Sequence, residues 1–120
     1  FARGAEAEPW TASPVWVHGD LHPFNVLTRG GRLTAVLDWG DALVGDPAVD
    51  LAAMWALLPT AAHGELRGAL GHDAATWDRA RAWAVFFGLM LSHAGTRGAG
   101  ASFHAAGERI LDRVRLTPLA

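Results

Sequence analysis

The chain lacks two residue types on which many functional sites depend. Its 120 residues include no cysteine, which excludes disulfides and thiolate metal sites and is typical of a protein from a reducing cytosol. Lysine is also absent, because all ten basic residues are arginine. A site that needs a compact ammonium group therefore has no candidate here, since the planar guanidinium of arginine presents a different geometry.

Strong charge and long apolar runs are missing as well. The formal net charge is −2, without the basic stripe that nucleic-acid binding requires. No run approaches the ~18 apolar residues of a membrane span, and the first residues do not resemble a secretory signal. We therefore expect a cytoplasmic protein without a nucleic-acid or membrane partner. The hydrophobic content of 51% is sufficient for one domain with a real core.

The most informative pattern lies between positions 18 and 41. The sequence HGDLHPFN begins at His18, and a short apolar hairpin connects it to DWGD, which begins at Asp38. Asp20, Asn25 and Asp38 are the residue types that a kinase-type site needs: one Asp accepts the proton of the attacking hydroxyl, and an Asn and a second Asp hold Mg²⁺. Because Mg²⁺ prefers oxygen ligands and keeps several waters, this small set suffices without His or Cys.

His18 and His22 allow a different interpretation. Two histidines four residues apart bind zinc when they lie on one helix, but Gly19 and Pro23 disfavour a helix at this point. We expect both histidines to brace the loop by hydrogen bonds instead. An isolated Asp or Asn in a loop is most often a turn former, so only the combined spacing of the motif favours catalysis.

The sequence GDPAVDLA, which begins at Gly45, predicts the start of a helix. Asp46 is expected as its N-cap, with Pro47 at the first helical position, where a missing N–H has no cost. Asp50 lies close to the positive end of the helix dipole. We interpret Asp41, Asp46 and Asp50 as supporting residues and not as catalysts.

Together, the runs HGDLHPFNVL, LDWGDA and GDPAVDLA resemble the aminoglycoside phosphotransferase and choline kinase family, relatives of the protein kinases. The resemblance covers about residues 15–58. It implies that Asp20 is the catalytic base, that Asn25 and Asp38 bind Mg²⁺, and that ATP or GTP phosphorylates a hydroxyl of a small molecule. It also implies that the helix after Gly45 packs under the catalytic loop, where Asp46 or Asp50 ties down the loop backbone.

The same resemblance implies an α+β fold, the mostly helical C-terminal lobe of a protein-kinase-like enzyme. Residues 1–14 are then a linker or the end of a preceding element, 15–45 the catalytic loop, hairpin and DWG segment, and 46–120 the helical part. The N-terminal lobe, with its Gly-rich loop and phosphate-binding Lys, is expected to be missing from this chain. Two functions stay open: a C-terminal fragment of a phosphotransferase, or a non-catalytic truncated module that binds substrate or a partner.

Hydrophobic periodicity predicts the remaining elements. Strands are expected at Val15–Val17, Val26–Thr28 and Leu33–Leu37, the last two joined through a Gly-Gly turn. Helices are expected at 46–58, 61–70, 76–92 and 103–115, with Gly95 closing the third. Five aromatic residues are predicted to lie in the core: Trp55, Trp77, Trp83, Phe86 and Phe87.

Three acidic residues in the helical part are weaker candidates for binding an amine substrate. They are Glu65, Asp73 and Asp78. A solvated helix face or a helix cap is the more common role for each of them.

Overall fold

The computed structural model describes residues 2–117 and combines two small antiparallel sheets with a helical body. The strands are β1 (Val15–Val17), β2 (Val26–Arg29), β3 (Arg32–Val36) and β4 (Leu43–Gly45). The α-helices are α1 (Ala2–Ala5), α2 (Ala48–Leu51), α3 (Ala53–Leu57), α4 (His63–Leu70), α5 (Ala74–Ala94) and α6 (Ala101–Leu116). Short 3₁₀ turns cover Pro23–Asn25, Trp39–Asp41 and Thr60–Ala62. This composition confirms the α+β fold class.

The hairpin of β2 and β3 forms as the sequence predicts. Gly30 and Gly31 occupy its two-residue turn with φ of 57° and 75°, and two consecutive positive φ angles are the requirement of a type I′ turn. Val26 pairs with Val36 at the open end of the hairpin, and the register shifts between Leu27 and Thr28. The open end is where Asn25 enters the hairpin and Asp38 leaves it.

Strand β4 was not predicted from the sequence. Its three residues pair with β1 in the register Val15–Gly45, Trp16–Val44 and Val17–Leu43. Three residues ending in glycine are too few for an alternating pattern, so only the partner strand defines β4. The pairing holds the start of the catalytic loop beside the end of the DWGD segment.

The core lies between α5 and the helices packed around it, which include α2, α3 and α6. Its largest fully buried apolar side chains are Trp55, Trp77, Leu91 and Ile110. Helices α5 and α6 approach closely because Gly107 has no side chain: a Cβ there would lie 2.5 Å from the carbonyl oxygen of Gly88. No helix among the described residues is both long and apolar enough to cross a membrane.

The structure adds detail to the predicted helices. The helix expected at 46–58 is interrupted at Ala52, next to an i→i+3 hydrogen bond from Trp55 N to Ala52 O. Gly95 is the C-cap of α5, as predicted, but it keeps helical angles and begins a π-helical turn over Gly95–Ala99, in which Gly98 reaches φ 118°. Residues 2–5, expected in a linker or the end of an element, form α1 against α5.

The prediction for the aromatic core is correct for Trp55, Trp77 and Phe87 and wrong for Trp83 and Phe86. The latter two are 37% and 49% exposed. Because α5 is apolar nearly all round, it offers more apolar surface than its neighbours in the described chain cover. The helical pattern therefore predicted the element correctly and the buried face incorrectly.

Buried His63 connects α4 to the end of α6. Its Nδ1 lies 3.2 Å from Thr117 Oγ1, and its Nε2 lies 3.2 Å from the carbonyl oxygen of Leu58. The carbonyl must accept, so Nε2 carries the proton and Nδ1 accepts from the hydroxyl. Burial, supported by the charge of Arg113, lowers the pKa of His63.

We expect this histidine to make stability dependent on pH. In the unfolded chain His63 protonates near its ordinary pKa of about 6.5, whereas the folded protein resists protonation. Its contribution is therefore complete above that pH and is lost progressively as the pH falls below it. Thermal unfolding at pH 7.5 and at pH 5.5 should show that the His63→Gln variant loses less stability between the two pH values than the parent protein does. The exposed His93→Gln control should match the parent, and an identical pH dependence in all three proteins would contradict the prediction.

Candidate active site

The loop that carries Asp20 begins in a tightly held backbone turn after β1. The carboxylate of Asp50, on α2, accepts hydrogen bonds from His18 N at 2.6 Å and from Gly19 N at 3.0 Å. Gly19 has φ of 87°, and a Cβ at this position would lie 2.5 Å from Asp41 O. Only glycine fits both the conformation and the contact. Helix α2 thus holds the first turn of the loop through a single side chain.

His18 connects the loop to the hairpin. Its Nδ1 accepts from Asp20 N at 3.2 Å, so its Nε2 carries the proton and donates to Leu37 O at 2.7 Å. The side chain is 2% exposed, and the ring of Trp39 packs edge-on against it at 4.8 Å. Since Leu37 directly precedes Asp38, His18 couples the position of Asp20 to that of the second aspartate.

Asp20 and Asn25 contact each other directly. The Asn25 amide Nδ2 donates to Asp20 O at 2.8 Å and to Asp20 Oδ2 at 3.1 Å. His22 Nδ1 accepts from Phe24 N, so its Nε2–H faces Asp20 Oδ2 at 3.3 Å. Within residues 2–117, Asp20 Oδ1 and Asn25 Oδ1 have no hydrogen-bond partner. Both oxygens are consequently available to a ligand.

Asp38 occupies the open end of the hairpin in a strained conformation. Leu37 N donates to Asn25 O at 2.8 Å, which ties the residue before Asp38 to Asn25. Asp38 has φ 57° and ψ 69°, and it is the one non-glycine residue with positive φ in the described chain. Such strain is concentrated at functional sites. The Asp38 side chain is exposed and makes no hydrogen bond or ion pair with any described residue.

The three predicted supporting aspartates have different surroundings. Asp46 accepts from Ala48 N at 3.0 Å and forms an ion pair with Arg79 Nε at 2.7 Å. Because α2 begins at Ala48, Pro47 and not Asp46 occupies the N-cap position, one residue later than predicted. Asp46 therefore joins α2 to α5, while Asp50 alone contacts the loop backbone. Asp41 is exposed, and its backbone carbonyl packs against Gly19. Arg79 has no motif around it, so the sequence offered no signal for this ion pair.

The weaker acidic candidates are far less suggestive of a site. Asp73 is the N-cap of α5, where hydrogen bonds from Thr76 lower its pKa. Asp78 lies 3.6 Å from Arg3 of α1. Glu65 lies in the first turn of α4. None of the three contacts the loop that carries Asp20.

The donor atoms in the loop suit a hard cation better than zinc. No group of three or more His, Cys, Asp or Glu side chains converges within residues 2–117. His18 and His22 do not lie on a helix: His18 donates its Nε2–H to Leu37 O, and His22 Nε2 lies 3.3 Å from Asp20 Oδ2. Asn25 Oδ1 and the Asp38 carboxylate are oxygen ligands of the kind that Mg²⁺ uses when phosphates and waters complete its shell.

Comparison with known proteins identifies the family. The model of the phosphotransferase enzyme family matches residues 2–83, which include the loop, the hairpin and α2. The chain belongs to this family. Two known proteins share shorter segments with the chain. The chain is 48% identical over 42 residues to the uncharacterized protein YcbJ of Bacillus subtilis (strain 168), a match covering 34% of the chain and 14% of that protein.

The second curated relative is the hygromycin-B 4-O-kinase of Escherichia coli. It is 50% identical over 36 residues, which cover 30% of the chain and 11% of the kinase. The chain therefore matches only a small part of the length of either relative.

Solved phosphotransferase structures show the same fold. The apo form of a thermostable mutant of the aminoglycoside phosphotransferase APH(4)-Ia superimposes with a TM-score of 0.55 at 28% identity, covering 88% of this chain and 38% of that one. A ternary complex of such a mutant with AMP-PNP and hygromycin B gives a TM-score of 0.55 at 25% identity, covering 95% and 42%. The predicted family and the kinase-like fold are thus confirmed.

Proposed function

We propose that this phosphotransferase-family chain carries the catalytic loop of an enzyme that transfers the γ-phosphoryl group of ATP or GTP to a hydroxyl of a small molecule. The main support is the contact between Asp20 and Asn25, which leaves one oxygen of each side chain free, while Leu37 N, next to Asp38, bonds the Asn25 carbonyl. Asp20, Asn25 and Asp38 are proposed as the site, with His18, His22, Asp41, Asp46 and Asp50 in support.

In this proposal Asp20 is the general base. Its Oδ2 is occupied by Asn25 Nδ2 and faces His22 Nε2, so the carboxylate is oriented and Oδ1 remains to accept the proton of the acceptor hydroxyl. Both partners sit on a backbone that Asp50 and His18 hold in place. Positioning of this kind lowers the entropic cost of bringing the hydroxyl to the phosphorus.

Asn25 Oδ1 and the Asp38 carboxylate are proposed to hold Mg²⁺. The Asn25 amide has its nitrogen turned to Asp20, which leaves the carbonyl oxygen as the free ligand atom. When bound, the ion neutralises charge on the transferring phosphates. The Trp39–Asp41 turn, together with the contact between Trp39 and His18, keeps Asp38 at the end of the hairpin.

Two features of the relatives support the co-substrates. One relative is a hygromycin-B 4-O-kinase, and one similar structure contains AMP-PNP and hygromycin B. We therefore propose an aminoglycoside or another hydroxyl-bearing small molecule as acceptor and a cytoplasmic location, where nucleotide is available. Since no lysine is present in the chain, we propose that residues 15–120 act with a separate N-terminal lobe that grips the nucleotide phosphates, with residues 1–14 preceding this unit.

The proposal is tested by assaying the intact protein with ATP and GTP against a panel of aminoglycosides and simpler alcohols. Phosphorylation of at least one acceptor, abolished by EDTA and restored by Mg²⁺, is the expected result. Mg²⁺-independent transfer would contradict the metal assignment.

The lack of lysine favours a second candidate, a non-catalytic module, for the 120 residues alone. Calorimetry of this chain with ATP and Mg²⁺ is expected to show weak binding or none. Micromolar affinity would contradict the need for a separate lobe. Nucleotide binding by the intact protein without transfer to any acceptor would instead favour the non-catalytic module.

A further inference from the structure

A polar cavity of about 310 Å³ lies beside the catalytic loop, between the hairpin and α6. It is lined by Pro23, Val26, Thr28, Ala56, Leu57, Arg109 and Arg113. Asp20, Asn25 and Asp38 do not line it. The cavity is therefore separate from the proposed transfer site. Two of its lining residues, Pro23 and Val26, nevertheless belong to the segment that carries Asn25.

Two arginines dominate the cavity. Arg109 and Arg113 lie one turn apart on the same face of α6. Arg113 Nη1 donates to Trp55 O and Ala56 O, both at 3.0 Å, and so closes the carboxyl end of α3. The Nε and Nη2 atoms of Arg113 make no hydrogen bond to a described residue. The side chain of Arg109 makes no hydrogen bond within residues 2–117. Most donors of this pair thus remain free.

No carboxylate among residues 2–117 forms an ion pair with Arg109 or Arg113. Helix α6 contains two acidic residues, and both are engaged elsewhere: Glu108 accepts from Ser92 Oγ, and Asp112 pairs with Arg115. Burial, together with the charge of Arg109, lowers the pKa of Arg113. Two guanidinium groups therefore face one cavity with uncompensated charge, an arrangement that a bound anion would relieve.

We propose that this cavity binds a phosphate group, either as free phosphate or as a phosphate monoester. The planar guanidinium fork matches phosphate oxygens with paired N–H donors. Arg113 is already immobilised by its bonds to α3, so binding orders only one further long side chain. Thr28, on the hairpin, also lines the cavity. This site is independent of the proposed activity, because it uses none of the residues assigned to phosphoryl transfer.

Calorimetric titration of the chain at low ionic strength with inorganic phosphate and with glycerol 3-phosphate tests the proposal. Arg109→Gln is expected to raise the Kd for phosphate about tenfold or more, since a charge-assisted bond is lost. Arg109 is exposed, so the fold should be retained. The matched control is Arg115→Gln, because Arg115 lies on the same helix and is paired with Asp112. The Kd of this variant for phosphate should stay within about twofold of the parent value.

The two titrants distinguish the source of the phosphate. Tighter binding of glycerol 3-phosphate assigns the site to a phosphorylated organic ligand, and equal binding assigns it to free phosphate. The proposal would be overturned if neither titrant showed saturable binding, or if the Arg109→Gln and Arg115→Gln variants lost the same affinity for phosphate.

Discussion

Replacing Asp20 by Asn is expected to lower phosphoryl transfer by the intact enzyme about 10²–10⁴-fold, the usual contribution of a general base. The amide retains the shape of the carboxylate and can still present an oxygen to Asn25 Nδ2. It cannot accept a proton from the acceptor hydroxyl. The loss should therefore appear in kcat, while the KM for the acceptor changes little.

The control for this substitution is Asp112→Asn on the surface of α6. Asp112 is exposed and pairs only with Arg115, so its variant should retain the parent kcat. Circular dichroism and thermal unfolding should show that both variants are folded. Unchanged turnover of Asp20→Asn would exclude Asp20 as the base and would remove the main support for the proposed mechanism.

Replacing Asp50 by Asn is expected to lower the free energy of unfolding by about 2–3 kcal/mol and to impair transfer as well. The two Asp50 oxygens accept from His18 N and Gly19 N. In the variant one of these N–H groups would face an amide NH₂, so that a charge-assisted bond is replaced by two opposed donors. The backbone turn that positions Asp20 would loosen, which should reduce kcat even where the chain stays folded.

Asp73→Asn is the matched control, because Asp73 also accepts a backbone N–H through its carboxylate. Because Asn is as effective an N-cap as Asp, the free energy of unfolding of this variant should fall by less than about 0.5 kcal/mol. Chemical denaturation of the parent protein and of both variants measures the difference in the free energy of unfolding. Equal stability of the Asp50→Asn and Asp73→Asn variants would show that Asp50 does not anchor the loop.

Local patterns were sufficient for most of the secondary structure. The Gly-Gly turn predicted the hairpin because few other residues accept two positive φ angles, and Gly71 ends α4 with φ 65° as expected. Strand β4 and the exposed side of α5 were not predictable in the same way. A three-residue strand is defined by its partner, and the buried face of an apolar helix depends on which neighbours cover it.

The sequence by itself determined the family, the α+β class and the three residues proposed for catalysis, because phosphoryl transfer requires specific residue types at a specific spacing. Only the tertiary structure decided which groups hold them. The motif left open whether Asp46 or Asp50 ties down the loop, and the structure shows that Asp50 bonds the loop while Asp46 pairs with Arg79 across a long sequence separation. The Arg109 and Arg113 cavity likewise arises from packing α6 against the hairpin and α3. Contacts between distant segments depend on how helices cross, which no local pattern encodes.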